Sequence, residues 1–205
     1  QPVEIANRLD ESFKLLSGGP VDAMPHHQTL ELAIDWSYDT LSQEQQRLFR
    51  QLSVFRGGFD LAALTSVSGT EDGYEILESL GQLVDKSLVQ TIHAGDGTRY
   101  RVLQPLIQYA EAHMDADEVR DLKSRHASYF RDLAEQAAPE LRGPRQLDWL
   151  TTLDTEHDNL RAALAWAIET RDADLAQRTV TALTWFWLSH RHVDEAVVWF
   201  AQALA

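Results

Sequence analysis

Histidines and carboxylates are the side chains of this chain that could do chemistry, as metal ligands or as general acids and bases. The histidines considered are the adjacent pair His26-His27, then His157, then His190 with His192. None of these groups has a third ligand at the spacing of a zinc motif. The chain contains no cysteine, which excludes Cys-ligated zinc and a Cys–His catalytic pair. The sequence therefore predicts no metal site.

Pairs of acidic residues are the remaining candidates for catalysis. Glu71-Asp72, and Asp115 with Asp117, bring two carboxyl groups close together along the chain. A catalytic acid and base need burial and a defined separation, whereas such pairs are common in turns and at helix starts. The sequence also lacks a G-x-x-x-x-G-K-[ST] phosphate loop and a G-x-S-x-G nucleophile turn. We predict that this chain has no catalytic residue and holds no cofactor.

DNA binding is the next chemistry to consider, because Arg99 and Arg101 alternate along one predicted strand. The helix predicted at 73–86 would be the recognition helix. Over 28–114 the sequence has 12 acidic and 6 basic residues, a net charge of −6, which would repel phosphate. We therefore expect this helix to contact protein, and the two arginines to pair with acidic residues. The polar residues of the helix are Glu75, Glu78, Gln82, Asp85 and Lys86.

The composition is that of a soluble globular protein, with 44% hydrophobic and 24% charged residues and a net charge of −14. No apolar run reaches the roughly 18 residues that a membrane-spanning helix needs. The absence of cysteine fits a reducing compartment, so we expect a cytoplasmic protein. The chain starts at Gln1 and stops inside a helical pattern. We therefore expect it to be part of a longer protein.

Apolar residues recur at helical spacing over most of the chain, which predicts a mainly α protein. Ser42 and Asp60 are predicted to cap two of the helices, and Asp154 with Thr155 to cap a later one. Pro139 and the polar residues after it predict a break. The predicted helices lie at 4–16, 29–37, 43–55, 60–67, 73–86, 105–114, 116–138, 145–153, 156–170, 173–189 and 192–204.

Between the helices at 73–86 and 105–114 the spacing of the apolar residues changes from about every 3.6 residues to every second residue. There SLVQTI, AGDG and TRYRVL predict a β-hairpin. Short helices followed by a two-stranded wing are typical of a winged helix. Near the end, Ala196, Phe200 and Ala203 have the A-x3-F-x2-A spacing of a tetratricopeptide repeat. The predicted fold class is mainly α: a winged helix with a two-stranded β-wing, followed by antiparallel helical hairpins of tetratricopeptide-like type.

Four aromatic residues near the end, Trp185, Trp187, Trp199 and Phe200, form a candidate interaction surface. Trp185 and Trp187 are two residues apart and so face different sides of a helix. A helix that is apolar on several sides needs several partners. Packing against a further repeat and a groove for a protein or ligand both stay open. The repeat face at 192–205 is expected to be exposed and to allow dimerisation.

Four ordered motifs resemble one family: LELAIDWSYDTLS, LFRQLSVFRGGF, LGQLVDKSLV and RYRVLQPLIQYA. They are similar to the winged-helix region of STAND-class, NB-ARC-like signalling ATPases, and especially to bacterial transcriptional regulators of that class. The resemblance implies the end of a helical lid at 1–20 and a winged helix at 28–114. It further implies a connecting helix and linker at 115–144 and the truncated start of tetratricopeptide-like repeats at 145–205.

In the family that these motifs resemble, the phosphate loop lies upstream of this region. ATP or ADP is therefore expected to bind the longer protein outside this chain. Eukaryotic relatives carry a Met-His-Asp motif after the wing, whose histidine contacts the ADP phosphate. The aligned positions here are Val102, Leu103 and Gln104, and Leu103 cannot donate a hydrogen bond to phosphate. His27 is the candidate to contact the nucleotide instead, with Leu103 and Gln104 expected near it.

The function that the resemblance implies is regulation without catalysis. The chain would relay nucleotide state between an ATPase core and a helical-repeat sensor. Its expected partners are the ATPase and lid domains of the same protein, and a protein or small-molecule inducer on the repeats. Trp36 and Tyr38 are expected to pack the winged-helix core and its contact with the lid. Two alternatives stay open: a DNA-binding winged helix, and a tetratricopeptide scaffold that binds a partner protein.

Overall fold

The computed structural model describes residues 25–70, 73–94, 97–189 and 192–204. For 25–31 and 93–94 it describes the backbone alone. The helix predicted at 4–16, within the lid segment at 1–20, lies outside the described residues. No helix among the described residues is both long and apolar enough to cross a membrane.

Within the part of the chain that the structure describes, four helices precede the wing. Ser42 caps the second helix as predicted: its Oγ accepts the Gln45 N–H at 3.3 Å, and the Gln45 side chain accepts the Ser42 N–H at 2.9 Å. Asp60 caps the third, because its Oδ1 accepts the Ala63 N–H at 2.7 Å. The four are α1 (Pro25–Asp39), α2 (Gln43–Gln51), α3 (Leu61–Ser68) and α4 (Gly73–Asp85), and a 3-10 turn, Leu52–Val54, continues α2.

The predicted hairpin is present as an antiparallel pair, β1 (Gln90–Ala94) and β2 (Gly97–Arg101). Phe59 joins it from the loop before α3: its N–H donates to the Tyr100 carbonyl at 2.9 Å, and it accepts the Tyr100 N–H at 2.8 Å. The loop after the 3-10 turn is thus bound to the wing. Short helices and a two-stranded wing confirm the predicted winged helix within a mainly helical chain.

After the wing, the described residues form six helices: α5 (Gln104–Ala112), α6 (Ala116–Glu140), α7 (Gln146–Thr155), α8 (His157–Glu169), α9 (Ala173–Ser189) and α10 (Val193–Ala203). The break predicted at Pro139 was placed too early, because Pro139 lies inside the last turn of α6. Proline has no backbone N–H, so one helical hydrogen bond is lost there. The Leu141 N–H still bonds to the Ala137 carbonyl at 3.1 Å. The chain leaves the helix after Glu140.

Helix α6 is the central element of the packing. It contacts α3 and the 3-10 turn of the winged helix, and it also contacts α8 and α9. Leu122, Ala127, Phe130 and Ala134 are almost completely buried along it. The buried apolar residues form a continuous core that reaches from α1 to α10. The winged helix and the later helices are therefore held together by a shared core.

The two aromatic residues predicted to pack the winged-helix core behave differently. Tyr38 is buried, with its ring 5.8 Å from Phe49 and 5.4 Å from Tyr109. Trp36 is 74% exposed, so the prediction is right for Tyr38 and wrong for Trp36 as a core residue. Two residues on a helix differ by about 200° in direction, so one face cannot bury both.

Candidate functional site

The loop Phe55–Phe59 is held between the wing and α8. Gly58 has a φ of +114°, and a Cβ there would lie 2.9 Å from the Tyr100 carbonyl oxygen. Gly57 has a φ of +74°, and its Cβ would lie 3.1 Å from Asp158 Oδ2. Both positions therefore favour glycine for their backbone conformation, and Gly58 also for space, because its Cβ would meet backbone. The R-G-G-F sequence therefore lets the wing and α8 both approach the backbone of this loop.

The opposite side of this loop meets the corner between α7 and α8. Helix α7 ends at Thr155 and α8 begins at His157, so Glu156 alone joins them. Asp154 and Thr155, which were predicted to cap α8, are still helical residues of α7, and no side chain caps α8. Glu156 and Asn159 lie one turn apart and point the same way, towards the glycine loop.

Asn159 is the centre of the contact and has no exposed surface. Its Oδ1 accepts the Arg56 backbone N–H at 2.7 Å and faces His126 Nε2 at 3.3 Å. Its Nδ2 donates to the Gly58 carbonyl at 2.9 Å and to Glu156 Oε2 at 2.7 Å. Both atoms of the amide have their full set of partners. One side chain thus joins the loop, α6 and the helix corner.

An ion pair between Arg99 of β2 and Glu156 fixes the wing to the same corner. The side chains are 12% and 7% exposed, respectively. Removing one partner of such a buried pair costs about 3–5 kcal/mol, because the other charge is left uncompensated. The prediction that the wing arginines pair with acidic residues is therefore right for Arg99. Arg101 instead donates to the Gln90 side chain at 3.1 Å on the exposed side.

His126 completes this polar junction, which we define as Arg56–Gly58, Arg99, His126, Glu156 and Asn159. Its ring lies 5.5 Å from Phe55 and 4.6 Å from Phe130, and it is 2% exposed. Burial, together with the nearby Arg56 charge, lowers the pKa of His126 to about 4 despite its hydrogen bond to Asn159. A neutral imidazole whose Nε2 carries the hydrogen therefore donates to Asn159 Oδ1 at neutral pH.

The polar junction is suited to positioning rather than to catalysis. Its groups bond to one another across four segments: the glycine loop, the wing, α6 and the α7–α8 corner. Glu156, Asn159 and His126 were not singled out from the sequence. Glu156 and Asn159 stand in the continuous polar run at 154–159, which is typical of an exposed corner, so no signal in the sequence distinguishes them.

Of the three residues predicted to lie near nucleotide, Leu103 and Gln104 line one cavity. Leu103 and Gln104, at the start of α5, line a cavity of about 310 Å³ with Arg56 and Arg101. Leu103 is 41% exposed. His27 falls in the first turns of α1, but its side chain lies outside the described residues, so its role stays a prediction. His190 lies outside them as well.

The predicted aromatic surface is divided by the structure. Trp187 is buried in the core, with its ring 6.1 Å from Phe200. Trp185 is half-buried beneath the Arg142 guanidinium, 4.5 Å from its ring centre. Trp199 donates its Nε1–H to Glu195 at 3.1 Å. Trp187 is therefore a core residue, while the other three lie at the edge of the core.

The helix expected to read DNA in a winged helix is α4, and its surface is acidic. Between Gly73 and Asp85 the sequence has three acidic residues and no lysine or arginine. The Gln82 side chain is hydrogen-bonded to Gln45, and Lys86, just beyond the helix, donates to Thr40 at 3.0 Å. Tyr74 and Leu77 are exposed beside Glu78. This surface carries few of the donors that base edges and phosphates require.

Comparison with known proteins assigns the region that contains these elements. A family model described as a winged helix-turn-helix domain matches residues 41–115. Residues 41–115 are a winged helix-turn-helix domain. The match runs from the residue before the Ser42 cap to Asp115, the residue that caps α6. The winged helix-turn-helix domain therefore contributes the glycine loop and the wing to the polar junction, while α6 and the α7–α8 corner lie outside it.

The chain as a whole is homologous to proteins named as regulators. It is 38% identical to "Putative HTH-type transcriptional regulator Rv0890c" of Mycobacterium tuberculosis, over 99% of this chain and 23% of that protein. The Mycobacterium bovis protein of the same description, Mb0914c, gives the same values. "Uncharacterized protein Rv0894" of M. tuberculosis is 32% identical over 63% of this chain and 34% of its own length. The chain thus spans about a quarter of the regulators it matches. No solved structure matches it.

Proposed function

We propose that this chain is a non-catalytic regulatory part of a STAND-type ATPase that regulates transcription. In this proposal it relays nucleotide state between an ATPase core and a sensor built from tetratricopeptide-like repeats. ATP and ADP bind the longer protein upstream, next to its lid domain. The observation that carries the proposal is the polar junction, which ties the winged helix-turn-helix domain to the helices that follow it.

A relay element must move as one body, and the polar junction supplies the physical reason for that. Separating the glycine loop from α8 would leave the Arg56 N–H and the Gly58 carbonyl without their Asn159 partners. Each buried group without a partner costs about 1–3 kcal/mol. Breaking the Arg99–Glu156 pair would add to that cost. A displacement that begins at the winged helix is therefore passed to α7 and α8 rather than absorbed between them.

The charges on the winged helix favour a protein contact over DNA. Arg99 is engaged by Glu156 inside the molecule, and α4 contains no basic residue. The exposed Tyr74 and Leu77 give α4 an apolar edge of the kind found in protein interfaces. In this proposal the surface meets the ATPase core, and the helices from α7 onward carry a protein or small-molecule inducer.

The relay can be tested with two spin labels in the longer protein after any cysteine outside this chain has been replaced, since this chain has no native cysteine. Glu78→Cys on α4 and Glu169→Cys at the end of α8 are both exposed. In the longer protein, the distance between these labels should be one narrow distribution that is the same with ADP and with an ATP analogue. A third label in the ATPase core should change its distance to Glu78→Cys. A nucleotide-dependent distance between the first two labels would contradict the proposal.

DNA binding by the winged helix-turn-helix domain is the second candidate, because the relatives are named as HTH-type transcriptional regulators. An electrophoretic mobility assay at low salt separates the two functions, since electrostatic binding is strongest there. The relay proposal expects no retardation of any duplex by this chain. Retardation that is lost in Arg101→Gln would support DNA binding.

The third candidate is a tetratricopeptide scaffold. A scaffold would retain its protein partner on residues 115–205 within the longer protein when the ATPase core is inactivated.

A further inference from the structure

A second group of polar side chains lies on the other side of the α7–α8 corner. Asp154 at the end of α7, His157 at the start of α8 and His192 before α10 each place one ligand atom within 4.8 Å of the others. The rings of His157 and His192 are 4.9 Å apart, centre to centre. His192 is half-buried and also lies 6.1 Å from the Phe186 ring. Sequence spacing gave no reason to group these residues.

We propose that Asp154, His157 and His192 bind a divalent transition-metal ion, with Zn²⁺ as the probe. Two imidazoles and one carboxylate, with a fourth position left to water, are a common protein donor set for zinc. Imidazole ligands also suit Ni²⁺, Co²⁺ and Cu²⁺, whereas Mg²⁺ and Ca²⁺ prefer oxygen ligands. The ligands come from two segments that are more than 30 residues apart, so the ion would join the α9–α10 turn to the α7–α8 corner.

A carboxylate behind His157 gives the cluster the outer layer that metal-binding histidines usually have. His157 Nε2 lies 3.2 Å from Glu195 Oε1. Glu195 is itself fixed by Arg161, through bonds of 2.8 and 2.7 Å, and by the Trp199 Nε1–H. A carboxylate in this place selects the imidazole tautomer with hydrogen on Nε2, which leaves Nδ1 for the ion.

The spacing requires a small closure of the cluster. Bonds of about 2.0–2.2 Å from zinc to nitrogen or oxygen place tetrahedral ligand atoms roughly 3.4 Å apart. The three atoms are within 4.8 Å of one another here, so side-chain movements of up to about 1.4 Å bring them to that separation. Asp154 is exposed, and its carboxylate can make much of this movement.

The test is calorimetric titration of the chain with Zn²⁺, repeated with Co²⁺ so that the visible spectrum shows the ligand geometry. We expect one Zn²⁺ per chain that is lost in His192→Gln and in Asp154→Asn, and a tetrahedral Co²⁺ spectrum that is lost with it. Glu195→Gln should weaken binding about 10- to 100-fold. His113→Gln, which removes a histidine outside the cluster, should bind as the original chain does.

Each result of this titration decides the proposal. Zn²⁺ binding of the same affinity and stoichiometry in His192→Gln and Asp154→Asn would overturn it, as would binding that is abolished equally by His113→Gln. Circular dichroism of each variant shows whether it is folded. Because an ion that binds only the folded chain raises its melting temperature, the temperature rise with Zn²⁺ should be present in the original chain and absent in both ligand variants.

Discussion

Replacement of Asn159 by alanine tests the polar junction most directly. The variant removes the amide, so the Arg56 N–H and the Gly58 carbonyl each lose a hydrogen bond at a residue with no exposed surface. At about 1–3 kcal/mol for each of these two orphaned groups, the free energy of unfolding should fall by about 2–6 kcal/mol. His126 and Glu156 lose a partner as well, which places the expected value towards the upper end.

The measurement is urea unfolding of the chain at pH 7, followed both by tryptophan fluorescence and by circular dichroism at 222 nm. Glu169→Ala is the matched control, because Glu169 is an exposed residue of the same helix. Exposed substitutions of this kind change stability by less than about 0.5 kcal/mol. Asn159→Asp separates hydrogen bonding from packing, because it keeps the size of the side chain but replaces the Nδ2 donor with a second acceptor.

We expect Asn159→Asp to destabilise the chain as well, since its carboxylate would face Glu156 and the Gly58 carbonyl. A loss below about 1 kcal/mol in both Asn159 variants, similar to that of Glu169→Ala, would show that the junction's hydrogen bonds do not hold the winged helix-turn-helix domain to α8. Loss in the alanine variant alone would assign the effect to packing.

Three further predictions concern the glycine loop, the buried histidine and the last helix. Gly58→Ala should lower the free energy of unfolding by about 1–3 kcal/mol from its backbone conformation alone. The control is Gly81→Ala, at an exposed helix position with open space around it, which should raise the free energy of unfolding by about 0.5–1 kcal/mol. Urea unfolding of both variants measures these changes. Burial lowers the pKa of His126 to about 4, below the roughly 6.5 of the unfolded chain. The stability that comes from keeping His126 neutral is therefore fully present above pH 6.5, and the free energy of unfolding falls by about 3 kcal/mol as the pH decreases towards 4. Thermal melts between pH 4 and 6.5 measure this fall, and His126→Leu should not show it. Light scattering should detect a concentration-dependent dimer of the chain. Val197→Lys should abolish the dimer, because Val197 is 63% exposed on the apolar outer face of α10. A monomer at all concentrations would contradict this prediction.

Most of the secondary structure could be predicted from the sequence, because local signals determine it. Ser42 and Asp60 carry the capping side chains at helix starts, and the change of apolar period marks the wing. The failures have local causes as well. Pro139 was taken as a break although a proline in the last turn removes only one hydrogen bond, and Asp154 was taken as a cap although α7 and α8 meet without a loop.

The polar junction could not be predicted in the same way, because its members come together only in the folded chain. Asn159 and Arg56 are 103 residues apart in sequence, and Arg99 and Glu156 are 57 residues apart. Neither Asn159 nor Glu156 differs in type from a surface residue of a helix. Their burial depends on how α6 places α8 against the glycine loop, and no spacing rule in the sequence expresses that placement. The same holds for His192, whose partner His157 lies on another helix.

The length of α6 determines how far a small movement can travel. Its 25 residues span about 37 Å at 1.5 Å per residue, and they share their core with the winged helix and with α8 and α9. A tilt of about 10° at one end of a rod of that length displaces the other end by about 6 Å, slightly more than the 5.4 Å pitch of one helical turn. A rotation of this size, made by the winged helix, α6 and the later helices as one body, would therefore shift a surface near the far end of α6 by about the pitch of one helical turn, which is enough to exchange one set of side-chain contacts for the next.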